Sequence, residues 1–271
     1  MTDEPYSIIL SDAEVLALLH LLNTNAIFGV DTGYPLDTID PNSTLVLQTA
    51  LHALRARRLI AQTGTGEMVV QRDLLSLIAC CAFPHRACLV YHWGKGENTP
   101  AMLVGYCTED AMAMHSQPLP ALHEFATVMD AKMLVNHIVD FCSLHSSYLE
   151  AVPAHAVSAE SFARVRAVAG DDRSRAVAIF QVEAGVDREL AEALVADLAG
   201  AHPTVLIRTQ PFLATEQEQG KSLSILNGDL AIWTIAECET RGGQPAVEIQ
   251  PTTEQMLRLR LQSMVTQHHE K

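Results

Sequence analysis

Aromatic residues make up only 5% of the 271 positions, and cations are scarce, with 18 Lys and Arg against 32 Asp and Glu. The resulting formal charge of −14 repels phosphate backbones and anionic lipid at long range. Neither nucleic acid nor a membrane surface is therefore expected as a partner, and only a local basic patch could hold DNA. Long apolar runs are also missing. Ile8 to Leu10 and Leu74 to Phe83 are among the longest, far short of the roughly 20 residues that cross a bilayer. The first residues, Met1-Thr2-Asp3-Glu4-Pro5, are acidic where a secretory signal is basic, so a cytoplasmic protein is expected. The six cysteines imply no disulfide framework. Cys80, Cys81, Cys88, Cys107, Cys142 and Cys238 stand mostly inside apolar segments, as small core residues do in a reducing compartment. No Gly-x-Ser-x-Gly, His-Glu-x-x-His or Gly-x-Gly-x-x-Gly occurs, which lowers the expectation of an enzyme.

What is present is a hydrophobic content of 48%, enough for one large core or two modest ones. Ser11-Asp12-Ala13-Glu14 has the form of a capping box, with Val15, Leu18, Leu19 and Leu22 at helical spacing behind it. Gly29 to Ser43 reads as a loop. Leu47, Leu51 and Leu54 predict a helix that ends in Arg55, Arg57 and Arg58. After the turn Thr63-Gly64-Thr65-Gly66 and the extended Met68-Val69-Val70, Asp73 opens a second helix that Pro84 closes. Two apolar strands follow, Ala87 to Trp93 and Ala101 to Cys107, joined by Gly94 to Pro100. A third strand is expected from Ala111 to His115. Pro118 and Pro120 then introduce a helix carrying Leu122, Phe125, Ala126 and Met129, and another runs from Met133 to Leu144.

The second half starts with helices capped by Ser158 and Asp187, with Arg175 to Val182 ambiguous between helix and strand. Thr204 to Arg208 reads as a strand, and Gln210 to Lys221 as a polar, exposed connection. Ser222 to Leu226 and Leu230 to Glu237 form a hairpin across Asn227-Gly228-Asp229, a type I′ turn signal, and Ala246 to Ile249 adds a strand. Thr252-Thr253-Glu254-Gln255 fits a capping box for a last helix containing Met256, Leu257, Leu261 and Met264. His115-Ser116-Gln117-Pro118 and Ile249-Gln250-Pro251-Thr252 both lead from a three-strand meander into a helix. This faint internal duplication predicts an α+β chain of two pseudo-symmetric halves, each an antiparallel sheet covered by helices. The halves are 1–134 and 135–271, within one compact unit.

Four motifs suggest chemistry and fall short of it. Gly220-Lys221-Ser222 ends like a phosphate loop, but Thr215 stands where its first glycine belongs. Asp31-Thr32-Gly33 is the aspartic protease tripeptide, followed here by Tyr34-Pro35 in a loop, so a turn is the better reading. Neither Cys80, Cys81, His85 and Cys88 nor His137, Cys142 and His145 show the spacing of a zinc site. Leu51 to Ile60 and the turn after it resemble a winged-helix recognition helix and wing, in which arginines would contact phosphates. Cations at a helix C-terminus are also favoured by the helix dipole alone.

The layout of Leu45 to His115 resembles the EspG-type chaperones of type VII (ESX) secretion. The shared order is an apolar helix ending in arginines (Leu51 to Ile60), a glycine turn (Thr63 to Glu67) and a helix closed by proline (Asp73 to Arg86). A hairpin, Cys88 to Cys107, follows with the acidic turn Thr108-Glu109-Asp110. The Asn-Gly-Asp hairpin with Trp233 in its second strand, and the closing helix Thr252 to Met264, extend the likeness to most of the chain. The resemblance implies a non-catalytic pseudo-two-fold α+β body that binds the apolar tip of a secreted helical protein in the cytoplasm. It implies no cofactor and no metal.

An acidic body with an exposed loop beside an aromatic residue suits partner binding, and Trp93, Lys95, Glu97 and Asn98 are the candidate contact residues. Trp93 packing within the sheet is the alternative. Two other functions stand behind the chaperone or adaptor reading, a winged-helix regulator and a small-molecule enzyme with an unrecognised site.

Overall fold

The computed structural model describes residues 6–24, 26–32, 41–144, 152–200, 202–212, 220–240 and 242–266, with backbone only at 41–43. The chain divides into two compact units. The first comprises Met1–Leu89, Met102–Leu134 and Gln210–Gln219, and the second Val90–Ala101, Val135–Thr209 and Gly220–Lys271.

The first begins with strand β1 (Ser7–Ser11) and helix α1 (Asp12–Leu21). The capping box forms as expected. Ser11 Oγ accepts the Glu14 N–H at 3.3 Å and the Glu14 carboxylate accepts the Ser11 N–H at 2.9 Å, so two orphan donors are satisfied at once. Helix α2 (Pro41–Ala56) starts on its proline, a residue whose missing N–H costs nothing in a first turn. Strands β2 (Ile60–Gln62) and β3 (Met68–Val70) pair antiparallel as a small separate sheet before α3 (Arg72–Ala82). Together α2, β2, β3 and α3 are the winged-helix-like segment. Asp73 falls in the first turn of α3, behind an N-cap at Gln71, and does not itself open the helix.

The meander has four strands, not three: β4 (Arg86–Trp93), β5 (Ala101–Cys107), β6 (Met112–Leu119) and β7 (Leu122–Val128), followed by α4 (Ala131–Cys142). The helix expected over Leu122 to Met129 is thus strand β7. Pro118 falls within an irregularity in the β6 to β7 pairing between Ser116 and Leu119, Pro120 follows it, and the chain reverses at Ala121, whose φ is +61°. In hydrogen-bonded order the strands run β1-β7-β6-β5-β4. One face carries Ile8, Leu10, Val104, Tyr106, Ala113 and Phe125, packed with Val15 and Leu18 of α1 and Leu74, Leu77 and Cys81 of α3. On the other face Gly105 lets α4 approach, since a Cβ there would stand 2.8 Å from Leu134.

The second unit repeats this order without the small sheet: β8 (His155–Ser158), α5 (Ala159–Val168), α6 (Arg173–Ala184), α7 (Arg188–Ala199), β9 (Thr204–Pro211), β10 (Ser222–Asn227), β11 (Ile232–Glu239), β12 (Pro245–Thr252) and α8 (Glu254–Thr266). Its strand order is β9-β10-β11-β12-β8, so each copy returns its first strand beside its last. The ambiguous segment around Arg175 to Val182 is helical, capped by Asp172 and ended by Gly185 at φ +60°. Ser158 and Asp187 cap α5 and α7 as expected, through Ser161 N–H (3.1 Å) and Glu189 N–H (2.8 Å). The last cap is displaced by one residue: Thr253 accepts the Met256 N–H at 3.3 Å, while Thr252 ends β12. The core joins Phe162, Val165, Phe180, Leu194, Trp233 and Ile249. This is the expected α+β organisation of two like halves, each an antiparallel sheet covered by helices.

Asn227-Gly228 does not form the expected two-residue turn. Asn227 pairs with Ile232 as the last residue of its strand, and the loop is the four residues 228–231, closed by Gly228 N–H to the Ala231 carbonyl at 3.0 Å. The parts of the expected loops at 33–40, 145–151 and 213–219 lie outside the described residues.

Candidate partner-binding surface

Trp93 ends β4, and the alternation of a strand puts it on the same side as Tyr91. Their rings lie 6.1 Å apart at 35°, both half-buried. His92, between them, turns the other way and meets Phe141 of α4 edge-on at 5.9 Å. Trp93 therefore belongs to a small aromatic pair at the base of the β4 to β5 loop, with part of its surface open to solvent.

The loop itself is held by Glu97. Its N–H donates to the Gly94 carbonyl at 3.1 Å, and its carboxylate accepts the Gly94 N–H at 3.1 Å. A Cβ on Gly94 would sit 2.6 Å from that carboxylate, and Gly96 takes φ +74°. Gly96 answers to its left-handed backbone, while a side chain at Gly94 would displace the Glu97 carboxylate from its bond to the Gly94 N–H. Of the four expected contact residues, Trp93 is half-buried while Lys95, Glu97 and Asn98 are exposed. The four occupy one loop and the strand end leading into it, with Glu97 committed to shaping the turn.

The basic helix end is differently placed from what a DNA reader requires. Arg57 donates to the Glu14 carboxylate at 2.7 Å and to the Ile9 carbonyl at 2.8 Å, which covers an outward-facing carbonyl of edge strand β1. Arg55 donates to Gln62 at 3.2 Å and to the Met68 sulfur at 3.0 Å. Both arginines thus brace the fold.

At Gly220-Lys221-Ser222 the chain is an extended strand entrance, where Lys221 N–H donates to Thr209 Oγ1 at 3.0 Å. Asp31 is exposed and Thr32 buried, with Gly33 outside the described residues. Cys80 Sγ donates to the Ala111 carbonyl at 3.7 Å, and burial pushes its thiol up to about 12. A narrow apolar crevice in the second unit is lined by Val157, Phe180, Leu194, Trp233 and Ile249, with His155 its single titratable residue.

Sequence reasoning missed two buried polar clusters. In one, the Asp197 carboxylate accepts the Trp233 indole N–H at 2.7 Å and the N–H groups of Leu230 and Ala231 at 3.3 Å each. In the other, His115 hydrogen-bonds to His123, and His123 in turn to Asp12. Histidine followed by an acidic residue on a strand gave no signal of burial, and Asp197 sits in a helix whose apolar pattern is complete without it.

No protein-family profile matches the sequence. No curated protein matches it either. A solved structure does: the Mycobacterium tuberculosis type VII secretion system chaperone EspG5, in complex with the PE25-PPE41 dimer. It aligns with a TM-score of 0.68 over 96% of this chain and 96% of that one, at 13% sequence identity. This chain has an EspG-like fold. The alignment extends over nearly the whole of both chains. At this identity what is shared is the arrangement of elements, and no helix among the described residues is long and apolar enough to cross a membrane.

Proposed function

We propose that this protein is a non-catalytic cytoplasmic chaperone or adaptor of the EspG kind, serving type VII secretion. It holds a helical protein partner through the β4 to β5 loop and the Tyr91 and Trp93 pair beneath it. The observation that carries the reading is the fold match to a chaperone solved with its protein dimer bound. The loop fits the role physically. Its shape is fixed in advance by Glu97, which lowers the ordering cost of binding, and Trp93 offers a rigid aromatic surface of the type that anchors interfaces.

The test is to co-purify the partner from the source organism with the tagged chain, then titrate the isolated partner against wild type, Trp93→Ala and the pair Lys95→Ala/Asn98→Ala. Trp93→Ala should weaken binding by about tenfold or more while leaving the thermal midpoint within about 2 °C. Equal affinity of wild type and Trp93→Ala removes the loop from the interface. Absence of any stoichiometric protein partner removes the chaperone reading.

A further inference from the structure

Two histidines are sealed inside the first unit. His115 on β6 and His123 on β7 are each 1% exposed, with His115 Nε2 and His123 Nδ1 2.9 Å apart and His123 Nε2 2.7 Å from Asp12 Oδ1 at the start of α1. His115 Nδ1 is buried and has no hydrogen-bond partner among the described residues. That orphan fixes the protons. A buried N–H without an acceptor costs more than a bare lone pair, so His115 carries its proton on Nε2 and donates to His123 Nδ1. His123 then has Nε2–H to give to the Asp12 carboxylate. The chain runs His115 to His123 to Asp12 with both rings neutral, and one more proton on either ring leaves an N–H at the sealed His115 Nδ1.

The second unit shows that the fold does not need this arrangement. In the first, Leu10 pairs with His123 and Ser11 with Leu122. In the second, Val157 pairs with Val247 and Ser158 with Ala246, and Ser11 and Ser158 each cap the helix that follows. Val247 therefore stands where His123 does, and Ala159 where Asp12 does. His115 pairs with Phe125, two residues beyond His123, and Ile235 pairs with Ile249, two residues beyond Val247, so Ile235 stands where His115 does. The same three positions hold Asp, His and His in one copy and Ala, Ile and Val in the other. Buried polar groups are costly to desolvate, and an aliphatic solution is on display in the same molecule.

We propose that the Asp12, His123 and His115 chain is an acid-released latch that holds the β1 to α1 corner onto the meander at neutral pH and lets it open as pH falls. The other ionisable groups on the elements packed around it leave it isolated. Glu14 is tied to Ser11 and Arg57, Glu124 takes the Ser7 hydroxyl, and the Tyr106 hydroxyl donates to the Phe28 carbonyl. The Cys80, Cys81 and Cys107 thiols are pushed up by burial, and His20, Arg72 and Asp73 are exposed. Strands β1 and β6 contribute no further charge. Burial, and then the neighbouring His123, lower His115 from 6.5 to about 3. A depressed base means that the closed form binds fewer protons than the open one. Closure is therefore complete above about pH 6.5 and weakens as pH falls toward 3.

Hydrogen exchange followed by mass spectrometry reads this directly, with rates corrected for intrinsic exchange and the amides of β10 to β12 as internal reference. Between pH 7.5 and 5, opening of residues 7–21 should rise about thirtyfold relative to that reference, the factor that a drop from 6.5 to about 3 gives. The variant D12A/H115I/H123V, which copies the second unit, should fold and change by less than about twofold. Imidazole nitrogen NMR on the wild type at pH 7.5 should show His115 protonated on Nε2 alone. A flat response in wild type, an equal response in the variant, or a proton on His115 Nδ1 each overturns the latch.

Discussion

The carboxylate of Asp197 accepts the indole N–H of Trp233 at 2.7 Å, and both side chains are fully enclosed. The same carboxylate takes two backbone N–H groups of the β10 to β11 loop, so one residue near the end of α7 fixes both the largest core side chain and the turn above it. Asp197→Ala strands two buried donors, the Ala231 N–H and the Trp233 indole N–H, together with the part-buried Leu230 N–H, and should cost about 3 kcal/mol, read as a lower urea midpoint with an unchanged slope. Gly228 belongs to the same unit, because a Cβ there would lie 2.2 Å from the carboxylate. Gly228→Ala should cost about 2 kcal/mol alone and clearly less in the Asp197→Ala background. Strict additivity in that double-mutant cycle would mean that the carboxylate is not what the glycine accommodates.

A second close approach makes a parallel case in the first unit. Gly105 of β5 meets the Leu134 side chain of α4, whose atoms would stand 2.8 and 2.9 Å from an added Cβ. Leu134 is fully buried and cannot swing away. Gly105→Ala should destabilise by about 1–3 kcal/mol through overpacking, measured by denaturant titration, and Leu134→Val should recover part of that loss. No recovery would point to the strand backbone as the cause.

The contrast between these elements explains what was legible in the sequence. Helix starts were readable because Ser11 with Glu14, Ser158 and Asp187 act through local bonds that the residue spacing dictates. Strand β7 was not. Its buried positions alternate as His123 and Phe125, but a histidine beside Glu124 does not look like a core residue, and Leu122, Phe125, Ala126 and Met129 mimic a helical face. The long-range partner that makes His123 a core residue, Asp12, lies 111 positions away. The Asn227-Gly228 pair was misread for a similar reason, since Gly228 answers to Asp197 on another element and not to a two-residue turn. At the candidate surface, the loop and Trp93 were visible as a composition break after an apolar strand. The bracing role of Glu97 was not, because it depends on where the loop folds back.

Arg57 ties edge strand β1 to the first turn of α1. Its guanidinium bridges the Ile9 carbonyl and the Glu14 carboxylate while its own side chain remains 40% exposed. Arg57→Ala should cost only about 1 kcal/mol of stability, since the ion pair is partly solvated. It also uncovers the outward carbonyl of β1, and its clearer sign should be more self-association at high protein concentration, followed by light scattering. Arg57→Lys keeps the charge but has no fork to reach both acceptors, and should restore little. A monodisperse Arg57→Ala protein would show that the β1 edge is protected by something else.

The thiols supply a prediction that needs no substitution. Cys80, Cys81, Cys88, Cys107 and Cys142 are buried and Cys238 alone is half-buried, with none in a disulfide. Burial holds Cys80 and Cys142 up at about 12 and Cys107 at about 11, so almost no thiolate forms in them near neutrality. With an aromatic disulfide reagent at about pH 8, the native protein should release one fast equivalent, from Cys238, and all six only in concentrated guanidinium. The slow five then report opening of the two units, Cys80, Cys81, Cys88 and Cys107 in the first and Cys142 in the second. If the latch works as described, lowering the pH should raise the solvent access of Cys81, which packs with α1 and β7 residues, before that of Cys142. Alkylation of quenched samples by an acid-tolerant maleimide, mapped by mass spectrometry, distinguishes the two. Equal labelling of both would place the acid response in global unfolding.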